Sequence, residues 1–285
     1  MINPDTLPPL SEVIATFGLA PKKSLGQHFL LDGNLLARIV RAAGDISAQQ
    51  IIEIGPGPGG LTRAILAAGP RHLIAIEKDA RCIAALASLQ QIYPQHFSVI
   101  ERDALGLDLA AMGQAPRSII ANLPYNVGTA MVVEWVQQIA QHGAGLLQSF
   151  TVLLQKEVAE RMTAQVGDSA YGRLSILLHQ FTDASLMFEV PASAFSPPPK
   201  VTSAVLHARV LQRPREDVPL RMLERVVAAA FNNRRKMLRQ SLKSLGVDAI
   251  ALCAATNIPE THRAEQCDLA MFARLTREFI KLQKE

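Results

Sequence analysis

The sequence predicts an α/β fold, with a mostly parallel sheet followed by a smaller, all-helical C-terminal domain. Short apolar segments alternate with helical patterns up to about residue 211. A glycine-rich turn at residues 55–60 joins the first of these segments to a helix, which is typical of the first unit of a nucleotide-binding sheet. No strand pattern follows residue 212, so the remaining chain is expected to be helical.

Length and composition indicate a globular protein outside membranes. The 285 residues suffice for one large or two medium domains, and 49% hydrophobic with 19% charged residues is an ordinary globular composition. No apolar run approaches the roughly 20 residues that a membrane-spanning helix needs. Residues 1–20 carry acidic side chains and no basic start, so we expect no signal peptide and a cytoplasmic protein.

Cysteine and histidine usage argues against disulfides and metal ions. The three cysteines have no CxxC spacing, and the seven histidines are scattered along the chain. An odd number of isolated cysteines favours free thiols in a reducing compartment. Without a cluster of Cys and His ligands, we expect no metal site.

Positive charge is concentrated in the C-terminal part of the chain. Residues 1–200 hold 14 Lys+Arg and 16 Asp+Glu, whereas residues 201–285 hold 15 Lys+Arg and 9 Asp+Glu. The resulting net charges of −2 and +6 indicate a C-terminal module that meets a polyanion. A solvated basic face is the plain alternative.

Periodicity and turn residues place the individual elements. The predicted strands are residues 51–54, 73–76, 97–100, 118–121, 150–154, 184–190 and 201–210. The predicted helices are residues 10–17, 35–43, 61–68, 78–91, 129–141, a segment ending near 163, 174–179 and 223–231. Residues 1–20 form an N-terminal extension, residues 21–211 the sheet domain and residues 212–285 the helical domain.

The four residues Asn122, Leu123, Pro124 and Tyr125 follow the fourth predicted strand. Pro124 cannot donate to a sheet ladder, so it ends the strand. This leaves the other side chains at the carboxyl end, where open α/β sheets place their ligand crevice. An Asn amide can accept a hydrogen bond from an amino group, and a Tyr ring offers a stacking face for a base. A polar turn with a packed tyrosine is the alternative.

Glycines and acids at the first three strand ends predict a nucleoside site. Gly55 and Gly57 allow the backbone to approach a ligand closely. Glu77, at the end of the second strand, is placed to accept ribose hydroxyls. Asp103, near the end of the third, suits the amino group of an adenine ring. Two carboxylates would repel a pyrophosphate, so they favour an adenosine that carries a cationic sulfonium. A helix N-cap is the alternative role of each acid.

Two loops and one basic segment complete the set of candidate residues. In the loop Pro21–Leu30, His28 supplies a polar contact and Leu30 an apolar lid, although the loop also reads as a plain lead-in to a helix. The loop with three prolines at 197–199 is stiff enough to hold Phe195 as a stacking face opposite Tyr125; ordinary packing is the alternative. The cations spaced along one continuing helix are expected to track phosphates: Arg234, Arg235, Lys236, Arg239 and Lys243.

In combination, these segments resemble the small-subunit ribosomal RNA adenine dimethyltransferase family. The motifs that carry the resemblance are GQHFL, EIGPGPGGLT, Glu77, Asp103, NLPYN, LLQKE, YGRLS, FSPPPKVTSAV and NNRRKMLRQSL. The resemblance covers nearly all of residues 21–285 but not the first twenty. It implies a seven-stranded Rossmann-like class I methyltransferase sheet, S-adenosylmethionine as methyl donor and a small helical domain. The implied substrate is a pair of adjacent adenines near the 3′ end of small-subunit rRNA in an immature ribosomal subunit.

Roles for individual residues follow from the resemblance. The implied cofactor contacts are His28, Leu30, Gly55, Glu77, Asp103 and Asn122, to which the glycine turn adds Gly57. The implied pocket for the target base consists of Asn122, Leu123, Tyr125 and Phe195, with the backbone of Pro124 beside it. The expected contacts to RNA are Lys22, Lys23, Arg234, Arg235, Lys236 and Arg239. We further expect a monomer.

Three other functions use parts of the same pattern. An NAD-dependent oxidoreductase would use the glycine turn, but it leaves Asn122–Tyr125 unexplained and lacks a recognisable hydride site. A methyltransferase that confers antibiotic resistance by modifying large-subunit rRNA would share the sheet and differ mainly in the C-terminal domain. A non-catalytic ribosome-assembly factor would only bind the particle.

Overall fold

The structure, a computed structural model, describes residues 7–19 and 27–283. The chain divides into two compact units, the first of Met1–Ala159 and Ser185–Val210 and the second of Glu160–Ala184 and Leu211–Glu285. The expected boundary between residues 211 and 212 lies one residue beyond the end of the first unit. Residues 160–184 were expected in the sheet domain but belong to the second unit. They do so because Tyr171 and Ile176 are buried in the same apolar cluster as Phe272.

The main sheet has seven strands. In chain order, the strands within the described residues are β1 Phe29–Leu30, β2 Gln50–Ile54, β3 His72–Glu77, β4 Phe97–Glu101, β5 Arg117–Asn122, β6 Ser149–Gln155, β7 Thr182–Val190, β8 Phe195–Ser196 and β9 Ser203–Val210. The sheet order is β4-β3-β2-β5-β6-β9-β7, and β1 pairs with β8 in a separate two-stranded ribbon. Strands β2 to β6 pair in parallel, whereas β9 is antiparallel to β6. The predicted mixed, mostly parallel sheet is confirmed.

The centre of the sheet is apolar on both faces. Ile51, Ile52 and Ile54 of β2 are at most 2% exposed, as expected for a parallel strand that helices cover on both sides. The strand order reverses between β2 and β5, because β3 lies on the other side of β2. In sheets of this class, the ligand crevice opens at the carboxyl ends of the strands at such a reversal.

The helices of the first unit lie close to the positions that the sequence predicts. They are α1 Leu10–Thr16, α2 Gly33–Ala42, α3 Gly60–Ala67, α4 Ala80–Ile92 and α5 Gly128–His142, and α6 Lys156–Thr163 leads into the second unit. Asp32 caps α2, since its Oδ1 accepts a hydrogen bond from the backbone N–H of Asn34 at 2.8 Å.

The N-terminal helix α1 belongs to the first unit. Val13 and Leu19 are buried in an apolar cluster with Cys82 and Ala85 of α4. Arg81 donates a hydrogen bond to the carbonyl oxygen of Gly18 at 3.1 Å, which fixes the chain directly after α1. This segment therefore packs as part of the sheet domain, although the sequence left its role open.

The second unit is built around buried faces of five helices. They are α7 Arg173–Phe181, α8 Leu220–Asn232, α9 Leu238–Ser241, α10 Ala249–Ala255 and α11 Leu269–Leu282. Val226, Leu252 and Phe272 are fully buried at its centre. The hydroxyl of Tyr171 reaches the carbonyl oxygen of Cys267 at 2.9 Å and satisfies a buried polar group.

The prediction that the basic segment lies on one continuing helix is wrong. Helix α8 ends at Asn232, and the chain then turns through residues 233–236 before α9. The break is fixed by distant backbone hydrogen bonds: the N–H of Leu238 donates to His262 at 2.7 Å, and the N–H of Arg239 donates to Glu260 at 3.0 Å. Pairing with residues 260–263 thus replaces the helical hydrogen bonds.

Candidate active site

A cleft opens at the carboxyl ends of β2, β3 and β5, at the reversal of strand order. The residues that line it are Gln27, His28, Phe29, Leu30, Leu36, Ile54, Gly55, Pro56, Gly57, Pro58, Gly60, Leu61, Ile76, Glu77, Lys78, Arg102, Asp103, Ala104, Leu105, Asn122, Leu123, Pro124, Tyr125, Val127 and Met131. The wall is mainly apolar, with a few polar groups, which is the usual composition of a small-molecule site.

The glycine turn after β2 forms one wall of the cleft. Gly55 and Gly57 have φ angles of 65° and 55°, a region that other residues rarely adopt. A Cβ atom added at Gly57 would lie 3.2 Å from the ring of Phe29, and one added at Gly60 would lie 3.0 Å from the carbonyl oxygen of Leu30. The turn therefore needs glycine for its backbone angles and for close packing against the strand β1.

Glu77 stands at the end of β3 and organises the turn. Its Oε2 accepts a hydrogen bond from the N–H of Gly57 at 3.1 Å, and its Oε1 accepts from the N–H groups of Lys78 and Asp79 at 2.8 and 2.9 Å. The side chain is buried, so the carboxylate is fixed at the cleft. Oε2 accepts from only one of these donors, so it keeps an acceptor position for a ribose hydroxyl.

Asp103 lies two residues beyond β4 on the same rim. Its Oδ1 accepts from the N–H of Leu105 at 3.0 Å, and its Oδ2 pairs with the ammonium of Lys78 at 3.3 Å. The backbone hydrogen bond from Leu105, and then the charge of Lys78, hold the pKa of Asp103 below its ordinary value. The carboxylate is therefore charged at neutral pH and available to an amino group.

A third carboxyl group lies beneath the turn. Glu53 of β2 is 1% exposed, and neither of its carboxyl oxygens has a hydrogen-bond partner within residues 7–19 and 27–283. Burial raises the pKa of Glu53 from 4.5 to about 8. The nearby Thr62 hydroxyl opposes this rise, and the charge of Glu77 adds to it by a smaller amount. Glu53 is thus largely protonated at neutral pH.

Asn122 closes the end of β5 and is oriented by the loop that precedes β1. Its Nδ2 donates a hydrogen bond to the backbone carbonyl of His28 at 3.1 Å. With the amide nitrogen engaged, Oδ1 is the atom that can accept a hydrogen bond in the cleft. The sequence predicts an acceptor at this position, and the structure shows how the amide is held.

The backbone after Asn122 offers two carbonyl groups with different surroundings. The carbonyl of Pro124 accepts from the N–H of Val127 at 3.1 Å and from the N–H of Gly128 at 2.9 Å. These two bonds start helix α5 and occupy that oxygen. The carbonyl of Leu123 is therefore the better candidate for contact with a substrate amino group.

Tyr125 presents its ring at the same end of the cleft. Its hydroxyl hydrogen-bonds to Oγ of Ser203 at 2.5 Å, and burial raises the pKa of the phenol. The ring of His28 lies against it, with centroids 5.5 Å apart and an angle of 24° between the planes. Phe195, which is 4% exposed, meets His28 edge-on, with centroids 6.4 Å apart.

The structure brings most of the predicted site residues together. The cleft wall contains His28, Leu30, Gly55, Gly57, Glu77, Asp103, Asn122, Leu123, Pro124 and Tyr125. Phe195 does not line the cleft; it pairs with Leu30 and lies behind His28. Sequence reasoning did not single out Lys78 or Arg102, although each directly follows a strand-end acid. It also missed Ser203, because nothing local signals a partner for a distant tyrosine.

The predicted RNA contacts differ in their surroundings. Arg234 donates to Glu265 at 3.0 Å and to the carbonyl oxygen of Ser169, and Arg239 pairs with Glu260 at 3.0 Å. Arg235 and Lys236 are exposed, and neither forms an ion pair within the described part of the chain. Lys22 and Lys23 lie outside the described residues.

The described residues contain neither a metal-binding cluster nor a membrane-spanning helix. Across residues 7–19 and 27–283, no three His, Cys, Asp or Glu side chains are arranged to hold a metal ion. Over the same ranges, no helix combines the length and the hydropathy that crossing a bilayer requires.

A seven-stranded sheet of this order, with a glycine turn and an acid at the second strand end, defines a nucleoside-binding domain of the class I methyltransferase type. The sequence profile of the ribosomal RNA adenine dimethylase family matches residues 18–281. The chain belongs to this family. The family assignment confirms the predicted fold class, the predicted S-adenosylmethionine cofactor and the predicted enzyme class.

Individual relatives agree with the family match. The chain is 50% identical to ribosomal RNA small subunit methyltransferase A of Jannaschia sp., over 97% of this chain and 95% of the relative. It is 52% identical to the protein of the same name from Azorhizobium caulinodans, over 96% and 94%. The crystal structure of a dimethyladenosine transferase from Plasmodium falciparum is similar at a TM-score of 0.72 and 25% identity, over 89% of this chain and 98% of that one.

A fourth similarity concerns the fold alone. The crystal structure of the 23S rRNA methyltransferase ErmE matches at a TM-score of 0.66 and 23% identity, over 88% of this chain and 99% of that one.

Proposed function

We propose that this chain transfers methyl groups from S-adenosylmethionine to N6 of two adjacent adenines near the 3′ end of small-subunit rRNA. The products are N6,N6-dimethyladenosines, made during ribosome assembly. The observation that carries the proposal is the arrangement of Asn122, Leu123 and Tyr125 at the end of β5, in the same cleft as Glu77. The relatives from Jannaschia sp. and Azorhizobium caulinodans are small-subunit rRNA methyltransferases, which supports the choice of RNA.

The cleft residues fit the cofactor at several points. Glu77 would hold the ribose hydroxyls and Asp103 the adenine amino group, while Gly55 and Gly57 allow the close approach of the methionine part. His28 and Leu30 would close this site from the loop before α2. When bound, the cofactor supplies an electrophilic methyl group on a positively charged sulfur. Two carboxylates at the rim are suited to that positive charge.

The chain's own task is to make the adenine amino group nucleophilic. The N6 lone pair is delocalised into the ring, so a planar amino group attacks poorly. Oδ1 of Asn122 and the carbonyl oxygen of Leu123 would accept hydrogen bonds from the two N–H groups of N6. These hydrogen bonds favour a tetrahedral nitrogen with a localised lone pair. Tyr125 would hold the ring by its face. Positioning and hydrogen bonds that strengthen toward the transition state account for the acceleration.

The partner is expected to be an immature small ribosomal subunit, met by a monomer in the cytoplasm. The target base must leave its stack to enter the cleft, and loops or ends of folded RNA allow this most easily. In the second unit, Arg235 and Lys236 are exposed and carry the charge that would contact phosphates. Lys22 and Lys23 remain expected contacts.

Mapping the methylated adenines tests the proposal. Small and large subunits that lack the modification are incubated with protein and S-adenosylmethionine, and reverse transcription then locates dimethylated bases as stops. We expect two adjacent stops on the small-subunit RNA and none without the donor. Stops on large-subunit RNA would indicate the resistance-type enzyme instead. An absence of stops on both RNAs, with binding retained, would indicate an assembly factor without catalysis.

A further inference from the structure

The imidazole of His28 lies on the ring that is proposed to receive the target base. Its centroid is 5.5 Å from that of Tyr125, with the planes 24° apart. Phe195 meets the same imidazole edge-on at 6.4 Å. His28 thus contacts both aromatic residues that the sequence predicts as the faces of the base pocket.

The imidazole is held on this side of the cleft by the loop after β8. Its Nδ1 lies 2.8 Å from the carbonyl oxygen of Pro197, so Nδ1 is the donor. The backbone carbonyl of His28, not its ring, receives the hydrogen bond from Asn122. Rotation of the imidazole away from Tyr125 would therefore leave the catalytic amide in place.

The distance between the rings excludes a base from lying between them. Stacked carbon atoms approach to about 3.5–4 Å, so a base inserted between two rings separates their centroids by at least about 7 Å. The observed separation of 5.5 Å is too small for this. A base on this face of Tyr125 and the imidazole in its present position therefore exclude one another.

We infer that His28 belongs to the target-base subsite and that its imidazole competes with the adenine for the face of Tyr125. This inference rests on the proposed function, in which Tyr125 and Asn122 receive the adenine. The imidazole must turn aside as the base enters. A base is then accepted only if stacking on Tyr125 and the contacts to Asn122 outweigh the loss of the imidazole contacts, so His28 lowers the affinity of this subsite for any base that stacks there.

Fluorescence of 2-aminopurine riboside 5′-monophosphate tests the competition, because this base loses fluorescence when it stacks. It lacks the N6 amino group, so its binding reports stacking on Tyr125 separately from the contact with Asn122. The nucleotide is titrated into protein saturated with S-adenosylhomocysteine. We expect His28→Ala to bind it about 2- to 12-fold more tightly than the wild type, the equivalent of the aromatic contact that is removed.

Two further variants keep the result interpretable. In His28→Asn the side chain is smaller and not aromatic but remains polar, so this variant should also bind the nucleotide more tightly than the wild type. It provides a second test if His28→Ala folds poorly. His142→Ala, at the far end of α5 and outside the cleft lining, should bind as the wild type does. Unchanged or weaker binding by both His28 variants would overturn the inference.

A Tyr125→Ala variant separates this inference from the proposed function. If Tyr125→Ala loses binding while the His28 variants do not gain it, the stacking platform stands and the role of His28 is wrong. If Tyr125→Ala binds the nucleotide as the wild type does, the base is not received there, and both the platform and the competition are overturned.

Discussion

The carboxylate of Glu77 accepts a hydrogen bond from the backbone N–H of Gly57, with 3.1 Å between Oε2 and nitrogen. One side chain at the end of β3 thereby fixes the turn that follows β2. The same carboxylate also accepts from the N–H groups of Lys78 and Asp79. The acid that is proposed to bind the ribose is thus already oriented by three backbone donors.

Replacing Glu77 should weaken cofactor binding strongly. Glu77→Ala is expected to cost roughly 1.5–3 kcal/mol of S-adenosylmethionine binding, the range for a hydrogen bond to a charged group. Titration calorimetry measures this directly. Glu101→Ala, an exposed acid on the neighbouring strand, serves as the matched control and should bind normally. Wild-type affinity in a folded Glu77→Ala protein would remove Glu77 from the cofactor site.

The buried carboxyl of Glu53 should make the protein less stable as the pH rises. Its pKa is raised to about 8 in the folded protein, above the 4.5 of an ordinary glutamate, so the folded state retains a proton that the unfolded state has lost. The resulting stabilisation is complete below pH 4.5 and is lost as the pH rises through 8. Between these values the free energy of unfolding falls by roughly 1 kcal/mol per pH unit.

Urea unfolding of the wild type and Glu53→Gln between pH 5 and 8 isolates this effect, because all other titrating groups are shared. The neutral amide cannot lose a proton, so the variant should gain stability relative to the wild type as the pH rises. Glu101→Gln should follow the wild type. A constant difference between Glu53→Gln and the wild type across this range would mean that Glu53 is charged in the folded protein.

The basic turn after α8 should separate into residues that bind RNA and residues that hold the fold. The double variant Arg235→Gln and Lys236→Gln is expected to weaken binding to the small subunit and to reduce the slope of log K against log salt by about 0.7–0.9 for each lost contact. Arg234→Gln loses the contacts to Glu265 and Ser169 and should instead lower the melting temperature. An unchanged salt slope in the double variant would mean that this turn is a solvated basic face that does not contact RNA.

Asn122 should contribute more to the rate than to binding. In Asn122→Ala, N6 loses the side-chain acceptor that favours its tetrahedral form, and this form arises only on the way to the transition state. Single-turnover methylation should therefore slow by at least about 100-fold, whereas affinity for RNA and cofactor changes little. His142→Ala provides the control on the helix that follows. Normal single-turnover rates in Asn122→Ala would exclude the acceptor role.

Local sequence signals were sufficient for most of the fold and much of the cleft. Apolar runs such as Ile51–Ile54 are buried strands because helices cover both faces of the sheet, and the glycine turn and Glu77 fall where such sheets bind nucleosides. The break after Asn232 could not be read in the same way. It depends on backbone pairing with residues 260–263, which no local pattern reveals.

The position of His28 shows the same limit within the site. Its place two residues before Leu30 suggests a cofactor contact. However, the pairing of β1 with β8 brings Phe195 and Pro197 against His28, and Pro197 is 169 positions away in the sequence. Tyr125 stacks on the same imidazole. The places of Glu77 and Asn122 at the cleft were thus predictable from the strand ends, whereas the contacts of His28 with Phe195 and Pro197 were not, because they depend on pairing between distant segments.

The measurement that tests the central claim most directly is the identity of the methylated nucleoside after exhaustive reaction. After one transfer, N6 still carries one hydrogen that Asn122 Oδ1 or the carbonyl of Leu123 can accept, and Tyr125 holds the ring only by its face. Nucleoside mass spectrometry of small-subunit RNA should therefore find N6,N6-dimethyladenosine, about two per RNA molecule, and none in the absence of S-adenosylmethionine. A reaction that stops at N6-monomethyladenosine would contradict the account.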